Sequence, residues 1–232
     1  PYSDAAGGNA PCMFGADETR ALMTALDAAR FAIHVHVIGD AAARRAIEGL
    51  EAARVANGFW PAQHQLAHLQ VMDPGDYARL RGLATANVQP LWARLEPPYS
   101  DPSLAMIGPL RRADTYAFRK MLDHGADFCL SSDWPVSTLN PFEIMETAIT
   151  RRKRLDDDPL EPFLPAEALT IEDCVEGYTT RAARACWRDH FTGMLRVGYS
   201  ADLIILDRDI LACPAPEVSQ TRVLATLFKG QE

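Results

Sequence analysis

A chain of 232 residues that is 48% hydrophobic and 23% charged is long enough to form one large globular domain, and it has no low-complexity tract that would argue for disorder. The formal net charge of -8 disfavours a nucleic-acid partner or an anionic membrane surface, which repel an acidic protein. The five cysteines (Cys12, Cys129, Cys174, Cys186 and Cys213) are odd in number, scattered and free of any C-x-x-C pair. That pattern argues against a thiolate zinc site and for reduced thiols in the cytoplasm. No apolar run approaches the roughly 20 residues that a membrane span needs. Pro1-Tyr2-Ser3-Asp4 reads neither as a signal peptide nor as a natural start, so a piece of a longer protein is expected.

Taken in chain order, residues 17–30 carry Leu22, Leu26 and Ala29 at helical spacing and predict a helix. Phe31 to Ile38 is a short apolar run closed by Gly39-Asp40, and Ala41 to Arg54 reads as an Ala-rich helix with Asp40 as its N-cap. The strand-then-helix pattern recurs. His64–Val71 reads as strand and Pro74–Arg81 as helix. Ala84–Gln89 reads as strand and Ala113–Asp123 as helix. Phe128–Ser132 reads as strand before a helix near Pro141–Arg151. Four such units in series predict a parallel α/β architecture. Arg151–Pro165, with Asp156-Asp157-Asp158 and three prolines, reads as a loop with a solvated acidic run. Thr170–Trp187 predicts a helix capped by Thr170, with Asp173 completing an Asp variant of the capping box. Ala201–Leu206 and Val223–Phe228 predict strands of a small sheet outside the main unit.

Parallel α/β folds collect catalytic groups at the C-terminal ends of their strands. His34 and His36 share one face of a strand, and His36 is nearer its end. His64 and His68 pose the same choice on the next strand, and Asp133 follows the apolar Phe128-Cys129-Leu130 run. A lone strand histidine is more often a hydrogen-bonded core or surface residue, and an Asp after a strand is often a helix cap. Two imidazoles and a carboxylate on successive strands can nevertheless face one metal ion. His124 and His190 fall in helical or turn contexts and are expected at the surface.

Four segments resemble amidohydrolase family 3, which includes N-substituted formamide deformylase-like proteins. They are His36-Val37-Ile38-Gly39-Asp40-Ala41, His68 with the downstream Val88-Gln89-Pro90, Leu130-Ser131-Ser132-Asp133-Trp134-Pro135-Val136, and Gly193-Met194-Leu195 through Ala201-Asp202-Leu203-Ile204-Ile205-Leu206-Asp207. The resemblance implies an α/β fold: the C-terminal half of a distorted TIM (β/α)8 barrel, strands five to eight, over residues 1–190, and part of a small β-sandwich over 191–232. It implies a metal-dependent hydrolase of non-peptide carbon–nitrogen bonds, such as amides or formamides, working through a water activated by zinc or another divalent ion. His36, His68 and Asp133 would be the ligands, and Asp133 also the general base. Gln89, Trp92 and Arg111 match places around the substrate pocket, with Arg112 as the alternative to Arg111. His34 and His64 would be barrel-layer or supporting residues.

Two departures stand out. Gln65 and Ala67 occupy positions where the family commonly has a base and a glutamate. The strand-one H-x-H pair and the strand-four bridging residue of the family have no counterpart that fits, so the intact enzyme would hold one or two metal ions and this chain need hold none. A small-molecule substrate is expected, together with self-association or pairing with the missing N-terminal half. Two other readings remain: a catalytically inactive fragment or assembly module, and a deaminase on the same scaffold.

Overall fold

Gly15 precedes a helix whose first turn holds Asp17 and Glu18, and the Glu18 carboxylate accepts the Gly15 N–H at 2.8 Å, capping α1 (Ala16–Ala28). In the computed structural model, which describes residues 1–3, 8–96, 100–153 and 161–232 and only the backbone of 100–103, the chain packs as two compact units. The first comprises Pro1–Val88 with Glu96–Phe128, and the second Gln89–Leu95 with Cys129–Glu232.

In the first unit α1 lies against α2 (Asp40–Asn57). A glycine inside a helix costs about 1 kcal/mol relative to alanine. Gly49 has a reason to be there: a Cβ on it would lie 2.5 Å from the Met23 sulfur, so its absence lets the two helices close. Three strands follow in parallel, β1 (His34–Val37), β2 (Gln65–His68) and β3 (Thr85–Val88). The register sets His36 opposite Ala67, Val37 opposite His68 and Gln65 opposite Thr85. Val37, Leu66, Ala86 and Val88 are buried, each contributing up to about 1.5–3 kcal/mol for the larger side chains. The sheet order is β1-β2-β3-β4, β4 being Phe128–Leu130. Between β2 and β3 the connection is a 3-10 helix, Pro74–Leu80, tied to α2 by Arg79, which donates to Glu51 at 2.6 Å and to Asp76 at 2.6 Å.

Four local expectations are corrected. Gly39, not Asp40, is the N-cap of α2; Asp40 is its first residue and accepts the Ala41 N–H at 2.8 Å. The helix expected over 113–123 is displaced into α3 (Ser100–Arg112), kinked at Gly108, and α4 (Phe118–Asp123). Between them Tyr116 takes a left-handed φ of 49°. The Pro74–Arg81 helix is of the 3-10 type, as its early proline and short length favour. The helix expected over 170–187 breaks at Thr179 into α6 (Ile171–Tyr178) and α7 (Thr180–Ala185). There the hydroxyls of Thr179 and Thr180 donate back to the Val175 and Glu176 carbonyls, the contact by which threonine bends helices. The expected Thr170–Asp173 capping box is present.

In the second unit α5 (Pro141–Thr150) is the hub. It packs against the 3-10 turn Pro90–Trp92, against α6 and against the 3-10 segment Ala215–Gln220, from which Ser219 N–H donates to Glu146 at 2.8 Å. β5 (Leu203–Leu206) and β6 (Val223–Leu227) form a separate antiparallel pair. Cys129, buried on β4, has its thiol pushed up to about 12 by burial. The acidic run Asp156–Asp158 and Pro97-Pro98-Tyr99 lie outside the described residues. Among those described, no helix is long and apolar enough to cross a membrane.

Candidate metal centre

The parallel register of β1 and β2 brings His36 and His68 within one step of each other, and their rings meet edge to face with centroids 4.4 Å apart. His36 is exposed and His68 is buried at 5% exposure. His68 ends β2 in the left-handed region, at φ 78°, and Leu69 follows at φ 47°. Such backbone costs about 1–3 kcal/mol for a residue with a side chain and persists only where the surroundings hold it. Here the Leu69 N–H donates to the Val37 carbonyl at 2.9 Å and so clamps the bend onto the end of β1.

Asp133, in the second unit, is half-buried and also left-handed, at φ 53°. Its carbonyl accepts the Val136 N–H at 2.7 Å, closing a turn that contains the cis Trp134–Pro135 bond. Gln89 and Trp92, expected at the pocket, both hold this loop. Gln89 Nε2 donates to Ser131 Oγ at 2.7 Å and Trp92 Nε1 to Ser137 Oγ at 3.1 Å, while Ser137 Oγ donates to the Ser132 carbonyl. Arg111 reaches Asp40, two residues beyond Ile38, with Nη1 3.5 Å from Oδ2.

The other histidines sort by environment. His34 is exposed on β1. His124 is exposed, its Nδ1 2.7 Å from the Lys120 carbonyl, and His190 is exposed. His64 is buried: Nδ1 accepts the Ile33 N–H at 3.1 Å, and Nε2 lies 3.2 Å from Asp27 Oδ1. A ring nitrogen that accepts from the backbone must be unprotonated, so the neutral tautomer carries its hydrogen on Nε2 and donates it to Asp27. Burial lowers the His64 pKa more than Asp27 raises it. Burial pushes the Asp27 carboxyl upward, but hydrogen bonds from Asn57, Trp60 and His64 together outweigh it and leave the pKa lowered. The sequence shows the residues of this cluster without signalling that they meet, since Asp27 and His64 lie 37 positions apart. Gln65, where the family has a base, instead accepts from Asn87 Nδ2 at 2.8 Å.

Two imidazoles in edge contact suit a zinc-type ion as a donor set, since zinc takes neutral imidazole nitrogen readily. Among the described residues, no group of three or more His, Cys, Asp or Glu side chains is gathered closely enough to hold a metal ion. The structure brings His36 and His68 together as a pair of rings in contact.

The chain as a whole is similar to known proteins. The chain matches the amidohydrolase family over residues 1–232, and it belongs to that family. It is 30% identical over 210 residues to "Protein LONG AFTER FAR-RED 3" of Arabidopsis thaliana, covering 90% of this chain and 35% of the relative. It is 37% identical over 115 residues to the N-substituted formamide deformylase of Arthrobacter pascens, covering 50% of this chain and 20% of the enzyme. The chain therefore spans about a third or less of the length of these relatives. In fold it resembles an uncharacterized metal-dependent hydrolase of Pyrococcus horikoshii OT3, with a TM-score of 0.76 at 24% identity over 93% of this chain and 42% of that one.

Proposed function

We propose that this chain supplies part of the active site of a metal-dependent hydrolase that cleaves non-peptide carbon–nitrogen bonds, with amides or formamides as the substrate class. The observation that carries this reading is the His36–His68 pair, two imidazoles in edge contact at the ends of adjacent parallel strands, one of them on left-handed backbone. The likeness to a formamide deformylase supports the bond class. In this reading β1 to β4 are strands five to eight of a (β/α)8 barrel, and residues 191–232 contribute to a small β-sandwich. The other strands come from a longer protein or from a second chain, in a reducing, cytoplasmic setting that suits the five free cysteines.

A zinc or other divalent ion, one or two in the intact enzyme, would supply a water of lowered pKa and a Lewis acid for the scissile carbonyl. His36 and His68 would hold it as imidazole ligands. Asp133 would add a carboxylate ligand, and as general base would take up a water proton and return it to the leaving nitrogen. Gln89 and Trp92 keep the Asp133 loop in shape beside a small-molecule substrate.

Metal content, measured by mass spectrometry on the purified chain, tests this. Zinc near one equivalent that falls in His36→Ala and in Asp133→Ala is expected. A metal-free parent chain would favour instead an assembly module without turnover, the reading supported by the lack of a gathered three-ligand group among the described residues.

A further inference from the structure

Arg111 is engaged on every side by its own protein. Nε donates to the Ile107 carbonyl at 3.0 Å, and Nη2 donates to the Pro1 carbonyl at 2.5 Å and to Ser3 Oγ at 3.2 Å. Nη1 faces Asp40 Oδ2 at 3.5 Å. Three of the five guanidinium N–H donors are thus given to protein oxygens. The two Nη1 donors lie outside this set, on the side that faces Asp40.

The partners come from three separate stretches of chain. Ser3 is docked on the kinked end of α3: its N–H donates to the Met106 carbonyl at 2.6 Å and its hydroxyl to the Ile107 carbonyl at 3.0 Å. Gly108 makes room for it. A Cβ there would lie 2.5 Å from Ser3 Oγ and 2.9 Å from Ser3 Cβ, and its φ of 76° suits glycine. Asp40 opens α2 directly after Gly39, four residues past His36 on a turn that begins where β1 ends. A planar fork reaching all three stretches fixes the turn in a way that a flexible ammonium does not.

We infer that Arg111 is a positioning residue that sets the end of β1, and with it the His36 ring, by tying Asp40 to Ser3 and to the C-terminal turn of α3. The inference deepens the metal-site reading and rests on His36 being one of its ligands. Arg111 acts through Asp40 and the turn, at a distance from any reacting atom.

The test uses the whole chain with isotope-labelled histidine, and reads the His36 ring resonances, assigned by their loss in His36→Gln. Those resonances are sensitive to the His68 ring, whose centroid is 4.4 Å away. Arg111→Ala and Asp40→Asn are each expected to shift the His36 signals in the same direction, the double variant to add little, and Arg111→Lys to fall between. Arg81→Ala, on an exposed arginine elsewhere in the first unit, controls for loss of charge and leaves the signals in place. Competition with a chelator then reads zinc affinity, with a loss of roughly tenfold expected in Arg111→Ala, the lower end for residues that orient a ligand. Unmoved His36 signals in Arg111→Ala or Asp40→Asn, with circular dichroism showing an intact fold, overturn the inference. If the parent chain binds no zinc while the signals still move, the metal-site reading falls and the positioning role of Arg111 stands.

Discussion

The two ends of β2 hold histidines in opposite circumstances. His64, just before the strand, has both ring nitrogens engaged by the protein, one by the Ile33 N–H and the other by Asp27. His68, at its end, meets the ring of the exposed His36 edge to face, on backbone that costs free energy to hold. Four positions of chain therefore separate a histidine bonded to the Ile33 N–H and to Asp27 from one whose ring meets that of the exposed His36. Burial alone does not tell them apart, since each is 5% exposed. What separates them is the identity of the partners.

Removing His64, and separately the exposed His36 that the His68 ring meets, puts this contrast at risk most directly. His64→Ala deletes two buried hydrogen bonds and leaves a cavity beside the Asp27 carboxylate, and should destabilise by about 2–4 kcal/mol in denaturant unfolding. His36→Ala, on an exposed side chain, should stay within about 0.5 kcal/mol. Equal losses from the two variants would erase the distinction.

Acid sharpens the same comparison with a smaller effect. His64 has a folded pKa below its unfolded value, because burial outweighs the attraction of Asp27. The unfolded chain then binds the proton more readily, so the stability that His64 contributes is complete above its unfolded pKa of about 6.5 and declines as pH falls below it. Asp27 also has a lowered folded pKa, so its contribution is present above its unfolded value and is lost at lower pH, as the medium falls through the folded one. Unfolding midpoints followed from pH 8 to pH 5 should fall in the parent chain, at a slope of no more than about 1.4 kcal/mol per pH unit for one proton. They should fall less in His64→Gln. Parallel profiles for the two proteins would remove His64 as the cause.

The smallest effect belongs to the loop of the second unit. Trp92→Phe keeps an aromatic six-membered ring but loses the indole N–H that donates to Ser137 Oγ, and should lower stability by about 1 kcal/mol. A loss well beyond that in the denaturant midpoint would mean that Trp92 is chiefly a packing residue.

The strands of the main sheet were legible because each is a short apolar run followed by a helical pattern, and that periodicity is local. The candidate ligands were legible as strand-end residues for the same reason. Much of what positions them was not. The Asp27–His64 contact spans 37 positions and the Arg111–Ser3 contact 108, and no spacing rule reaches that far. Helix limits failed where local chemistry was finely balanced, at Gly39 against Asp40 and at the Thr179-Thr180 pair, whose hydroxyls compete for the helix carbonyls. The helical stretch Ser100–Arg112 went unread because Gly108 and Pro109 signal a break, and the chain does break there, Gly108 leaving helical geometry at φ 76° between two helical pieces.

The left-handed backbone at His68 and Asp133 also bears on how such a site could drift. A β-branched residue fits that conformation poorly, whereas Asn, Asp, His and above all Gly tolerate it. Neutral replacement at these two positions is therefore confined by the main chain to a few small or polar side chains, most of them donors of nitrogen or oxygen.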